Sequence, residues 1–129
     1  MPSLIRYRVV LVDDKCDIRM LLRTRLSLLP QLDIVGEAAD GRAAIELTRR
    51  ELPDAMVLDL EMPVMSGAEA MPILRRLHPP MRIIVYSALG DRFSLVGPAR
   101  PEAMLVKGVE LQVLVDTLVD LLREKLPKR

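Results

Sequence analysis

The sequence predicts an α/β fold, a doubly wound five-stranded parallel sheet with helices on both faces. Three observations carry that prediction. Strand-like and helix-like patterns alternate five times along 129 residues, as expected of strands joined by right-handed helical crossovers. The run from Ala55 to Leu58 is apolar on both faces, which suits a central strand covered by helices. Acidic, hydroxyl and ammonium side chains stand where the strands stop, and in open α/β sheets that carboxyl edge is where ligands bind.

Each element has its own justification. Arg8 to Val12 is a β-branched apolar run halted by Asp13-Asp14, hence a first strand. A helix follows from Cys16 to Leu28, with Ile18, Leu21, Leu22 and Leu26 at helical spacing and Pro30 ending it. Leu32 to Ala38 is the second strand. Asp40-Gly41 turns the chain into a second helix with apolar face Ala44, Ile45 and Leu47, and Pro53 closes that unit. The third strand, Ala55 to Leu58, delivers Asp59 to a loop in which Pro63 forbids further pairing. A third helix spans Gly67 to Leu77; Pro72 inside it removes a backbone donor and predicts a late start or a kink. His78-Pro79-Pro80 leads into the fourth strand, Met81 to Tyr86, with Ser87 at its end. Asp91 to Val96 has room for an irregular, shortened fourth helix before Gly97-Pro98 and Pro101. Ala103 to Val106 is the fifth strand, ended by Lys107, and a fifth helix over 109–125 completes the alternation.

The length suits one domain, residues 1–129. No apolar run reaches the roughly 18 residues needed to span a bilayer, and a lone cysteine, Cys16, forms no internal disulfide. A cytoplasmic protein is expected. With 19 basic and 18 acidic residues the net charge of +1 gives no general field for nucleic acid, so DNA binding would need another domain. Leu126-Pro127-Lys128-Arg129 reads as the start of a linker to such an output domain.

The strand ends bring Asp13-Asp14, Asp59, Ser87 and Lys107 to one edge. Two unit charges 4 Å apart repel by about 4 kcal/mol at an effective dielectric near 20, so three carboxylates in one pocket call for a cation. Mg2+ is the natural one, a hard ion that takes oxygen ligands and shares them with phosphate. With charge neutralised, Asp59 is a candidate nucleophile toward phosphorus, and Ser87 and Lys107 are donors to the phosphoryl oxygens. A nucleotide-binding role for the same fold is disfavoured, because no glycine-rich loop follows the first strand and Asp13-Asp14 would repel a dinucleotide. A free-standing phosphohydrolase is disfavoured too, since Asp59-Leu60-Glu61 lacks a second aspartate two residues on.

Val12-Asp13-Asp14, Asp59 with Met62-Pro63 and Gly67 behind it, Ser87-Ala88 and Lys107 together resemble the receiver domain of two-component response regulators over nearly the whole chain. The resemblance implies a flavodoxin-like sheet of order 2-1-3-4-5. It implies Mg2+ held by Asp14, Asp59 and the backbone carbonyl of Glu61, with Asp13 assisting through water, and phosphorylation of Asp59 by a partner histidine kinase. The stretch Ile34 to Gly41 is similar to receivers attached to helix-turn-helix domains. Such a domain is no enzyme beyond assisting its own phosphotransfer and dephosphorylation.

Some residues depart from the family pattern. Met104 stands where an aromatic usually reports phosphorylation, and Gly108 replaces the proline after the lysine, for which a trans bond is expected. These departures motivate an alternative, a degenerate receiver acting as a phosphorylation-independent interaction or dimerisation module. Glu61 and Leu89 occupy positions that in the family influence phosphoryl lifetime. Cys16 is expected to be an unreactive thiol beside carboxylates, His78 a surface residue, and Met62, Met65 and Met71 core filler or an adaptable contact surface. The fifth helix carries apolar residues over about 160°, wider than the roughly 100° one core requires, which suggests a homodimer or output-domain contact.

Overall fold

The computed structural model describes residues 5–88 and 99–125. Nine elements alternate in the order β1 (Tyr7–Val12), α1 (Cys16–Leu26), β2 (Leu32–Ala38), α2 (Gly41–Glu51), β3 (Ala55–Leu58), α3 (Gly67–Leu77), β4 (Arg82–Ser87), β5 (Ala103–Val106) and α4 (Leu111–Lys125). The five strands form one parallel sheet in the order β2-β1-β3-β4-β5, the flavodoxin-like topology. The expected fourth helix and Leu89 lie outside the described residues, so α4 here is the fifth helix of the sequence pattern.

Strand alternation sorts the core into two layers. Val10, Val12, Met56, Leu58, Ile83 and Val85 pack with α2 and α3, whereas Val9, Leu11, Ala55, Val57, Ile84 and Tyr86 pack with α1 and α4. Each central strand therefore needs apolar residues at every position, which explains the continuous runs. At the sheet edge a β-bulge between Val9 and Val10 leaves Val35 of β2 unmatched. Gly36 follows it, and a Cβ there would lie 2.5 Å from Leu47 Cδ1, so β2 sits close on α2.

The helices start where capping chemistry allows. Asp40 accepts the Ala43 amide at 2.8 Å to open α2, and Leu52, at φ 46, closes it ahead of Pro53. Pro72 does not delay α3. Ser66 and Glu69 form a capping box at its first turn, with both bonds at 3.0 Å, and the helix runs from Gly67 with the proline on its exposed side. α1 stops at Leu26, two residues earlier than its periodicity suggests, because the Leu28 and Leu29 amides turn back three residues instead of four, to Arg25 O at 3.3 Å and Leu26 O at 3.1 Å. α4 starts later than expected, at Leu111, since Val109 still bridges to Lys107 beside β5.

The apolar excess of the last helix is only partly consumed. Leu114, Val115, Leu118 and Leu122 are buried under the sheet, while Val113 is 44% exposed. Met71 is core, whereas Met62 and Met65 are partly buried against the α2–α3 layer. His78 is held inside its turn, with Nε2 donating to the Pro53 carbonyl at 2.9 Å, rather than standing free on the surface. No helix among the described residues is long and apolar enough to cross a membrane.

Candidate functional site

The parallel ladder continues one residue beyond the strands and thereby lines up the site. The Asp13 amide donates to Ala38 O, the Asp59 amide to Val12 O and the Lys107 amide to Ser87 O, each at 3.0 Å. The carboxyl ends of β1, β3, β4 and β5 thus present their next side chains at one edge.

Asp13, Asp14 and Asp59 each offer a carboxylate oxygen within 4.8 Å of the others. Asp13 and Asp59 are 2% and 3% exposed, while Asp14 faces solvent. The Lys107 ammonium bridges the buried pair, 2.7 Å from Asp13 Oδ2 and 3.4 Å from Asp59 Oδ2. Ser87, 1% exposed, ends β4 opposite Val106 and hands its carbonyl to Lys107. Glu61 is exposed, and its amide lies 3.4 Å from Asp59 Oδ1. Asp13, Asp14, Asp59, Glu61, Ser87 and Lys107 therefore occupy one edge, where Lys107 contacts both Asp13 and Asp59 and the Glu61 amide faces Asp59.

The electrostatics are those of a crowded anionic pocket. Burial pushes the Asp13 carboxyl above its ordinary value, and the charge of Asp59 adds to this against the opposing bonds from Lys107 and Lys15. Burial alone would lower the Lys107 ammonium, but its hydrogen bond to Asp13 and the charges of Asp59 and Asp13 outweigh that and raise it. One ammonium leaves most of the charge of three carboxylates uncompensated. Lys15 Nζ reaches Asp14 at 3.5 Å but from solvent, where a pair is worth little. A donor set of closely spaced carboxylate oxygens with residual negative charge fits a hard divalent cation.

The loop after Asp59 is closely fitted. The Gly67 amide donates to Leu60 O at 3.0 Å, and a Cβ on Gly67 would stand 2.0 Å from the Asp59 carbonyl, so only glycine fits. Met65 N donates to Pro63 O at 2.7 Å across Val64, whose φ of 69 makes this a strained γ-turn on the surface. The Met65 carbonyl then accepts the Gly41 amide at 2.7 Å, tying the loop to α2. The peptide bonds of the described residues are all trans, including that between Lys107 and Gly108. Cys16 is exposed at the first position of α1. Met104 lies partly buried on the α2–α3 side of the sheet.

Sequence reasoning missed two groups. The Lys15 amide donates to Asp13 Oδ1 at 3.0 Å, closing an Asx-type turn that an Asp followed two residues later by a free amide could have suggested. Arg19 reaches the Asp13 backbone carbonyl, a contact between a helix and a strand end that no local pattern announces.

Known proteins place this geometry. The family model described as the response regulator receiver domain matches residues 9–118. Over 84 residues, 65% of this chain, it is 40% identical to protein-glutamate methylesterase/protein-glutamine glutaminase 1 of Carboxydothermus hydrogenoformans, and it spans about a quarter (24%) of that relative's length. The receiver domain of the putative response regulator NarL from Mycobacterium tuberculosis superposes with a TM-score of 0.79 at 30% identity, covering 92% of this chain and 98% of that one. The response regulator domain of Thermotoga maritima CheB gives 0.77 at 26% identity, with 93% and 96% covered. The parallel sheet, the acidic edge and a family match over most of the chain lead to one conclusion: the chain belongs to the response regulator receiver domain family.

Proposed function

We propose that this receiver accepts a phosphoryl group on Asp59 from a phosphohistidine of a partner histidine kinase and through that event regulates an attached or separate output partner. The observation that carries the reading is the Lys107 ammonium set between Asp13 and Asp59 beside Asp14. An Asp59 carboxylate oxygen attacks phosphorus in line as the bond from phosphorus to the imidazole nitrogen breaks, its electron pair returning to the ring. Lys107 and Ser87 donate to the phosphoryl oxygens, where charge spreads during transfer. Asp14, Asp59 and the Glu61 carbonyl, with Asp13 assisting, would hold Mg2+, which would supply the charge neutralisation that the single lysine cannot. The protein's own catalysis is confined to gaining and losing this group.

The reading extends over residues 1–129 as one receiver domain in the cytoplasm. Curated relatives are far longer than their matched segment, which supports a receiver working on an output domain. The exposed Val113 on α4 supports a contact surface there, for a second copy or an output domain.

Incubation with acetyl phosphate and Mg2+ tests the core claim by intact mass. One phosphoryl group is expected on the wild type and none on Asp59→Asn; equal labelling of both would overturn it. Met104, without a ring, favours a second reading in which partner binding ignores phosphorylation. Partner affinity and self-association unchanged between phosphorylated wild type and Asp59→Asn would establish that module instead.

A further inference from the structure

Arg19 stands outside the carboxylate pocket yet is wired into it. From α1 its Nη1 donates to the Asp13 backbone carbonyl at 2.5 Å, and its Nε donates to Glu37 Oε1 on β2 at 2.9 Å. The other Glu37 oxygen takes Arg23 Nε at 2.5 Å, so one carboxylate is shared by two guanidinium groups. Burial would raise the Glu37 carboxyl, but Arg23 and Arg19 outweigh it and hold it low, which keeps the anchor charged.

The bonded carbonyl belongs to the planar peptide joining Asp13 to Asp14. Fixing that oxygen fixes the plane, and with it the direction in which Asp14 leaves the chain. Asp13 has other restraints, because its two carboxylate oxygens are taken by the Lys15 amide and Lys107. Among the described residues the Asp14 carboxylate pairs with Lys15 alone, at 3.5 Å and partly in solvent, so its placement depends on its backbone. We infer that Arg19 is a positioning residue that sets the divalent-cation affinity of the site by clamping the Asp13–Asp14 peptide, with Glu37 holding the clamp. The inference rests on the phosphoacceptor reading above for the presence of a cation.

Electrostatics and positioning predict opposite signs here, which makes the inference decidable. Deleting a guanidinium near an anionic pocket should tighten a cation by Coulomb attraction alone. Deleting a group that orients ligands typically weakens metal binding 10- to 100-fold. Mg2+ titration by calorimetry on wild type, Arg19→Ala, Arg19→Lys and Glu37→Gln therefore separates them, with circular dichroism checking the fold. The Arg25→Ala variant, whose arginine bonds Gln112 instead, reports the pure charge effect.

Arg19→Ala is expected to bind Mg2+ at least about tenfold more weakly. Glu37→Gln should fall in the same direction, and Arg19→Lys, which keeps the charge but loses the fork, should not restore binding. Phosphorylation from acetyl phosphate should recover to within about twofold of wild type when Mg2+ is raised to saturation, an effect on affinity and not on the chemical step. Affinity in Arg19→Ala equal to or tighter than wild type overturns the inference alone. Absence of Mg2+ binding by the wild type overturns the phosphoacceptor reading and this inference with it.

Discussion

Lys107 Nζ lies 2.7 Å from Asp13 Oδ2, so the ammonium is committed first to Asp13 and only then, at 3.4 Å, to Asp59. Even this partner does not fully compensate Asp13, whose buried carboxyl sits above its ordinary value of 3.8. A carboxyl raised in the folded state favours folding while protonated, and that contribution is lost as pH rises through its folded pKa. Asp13→Asn stays neutral throughout. It is expected to be more stable than wild type at pH 7 by on the order of 1 kcal/mol in Mg2+-free buffer, with the gap closing below the ordinary value. Urea unfolding at stepped pH measures it. The Lys107 contribution has the other window, being complete below 10.5 and lost above it as the raised ammonium deprotonates.

Cation binding should appear as stability. A cation that binds only the folded state contributes about 2.7 kcal/mol at a hundred times its Kd. Saturating MgCl2 is expected to raise the thermal midpoint of the wild type, chelator should reverse it, and Asp14→Asn or Asp59→Asn should lose most of the shift.

Two glycines near the site separate steric from conformational need. Gly67→Ala drives a methyl to 2.0 Å from the Asp59 carbonyl and should cost about 3 kcal/mol while displacing Asp59 enough to abolish phosphate uptake. Gly108→Ala meets nothing within 4 Å, but its φ of 111 is costly for a side chain, so a loss of about 1 kcal/mol is expected with phosphate uptake retained. Denaturant midpoints and intact mass read both.

Thr48 is fully buried on the inner face of α2, and its hydroxyl has no hydrogen-bond partner among the described residues. Burying an unpaired hydroxyl costs more than burying the methyl that would replace it. Thr48→Val should stabilise the protein by about 1 kcal/mol in chemical denaturation and leave phosphorylation unchanged.

The legibility of this protein varied with the range of the interaction involved. β2, β3 and β5 begin and end where the sequence places them: β3 because a strand buried on both faces must be apolar throughout, and the half-buried edge strands β2 and β5 because Asp40-Gly41, Pro101 and Lys107 bound them. Misplaced boundaries lie where a nonlocal or capping contact intervened: the capping box of Ser66 and Glu69 let α3 begin at Gly67 despite Pro72, and the bridge from Lys107 to Val109 delayed α4.

By itself the sequence determined the alternation of elements and the set of side chains that leaves the sheet at its carboxyl edge, since both follow from local spacing along each strand. Tertiary structure alone decided how those side chains divide the available charge. Lys107 approaches Asp13 more closely than Asp59, and Arg19 crosses from α1 to the Asp13 carbonyl with Glu37 of β2 behind it. The Lys107 contacts join residues far apart in the chain, and the Arg19 contacts join a helix to two different strands. They are set by how closely helices and strands pack across the sheet, and no periodicity along the chain encodes them.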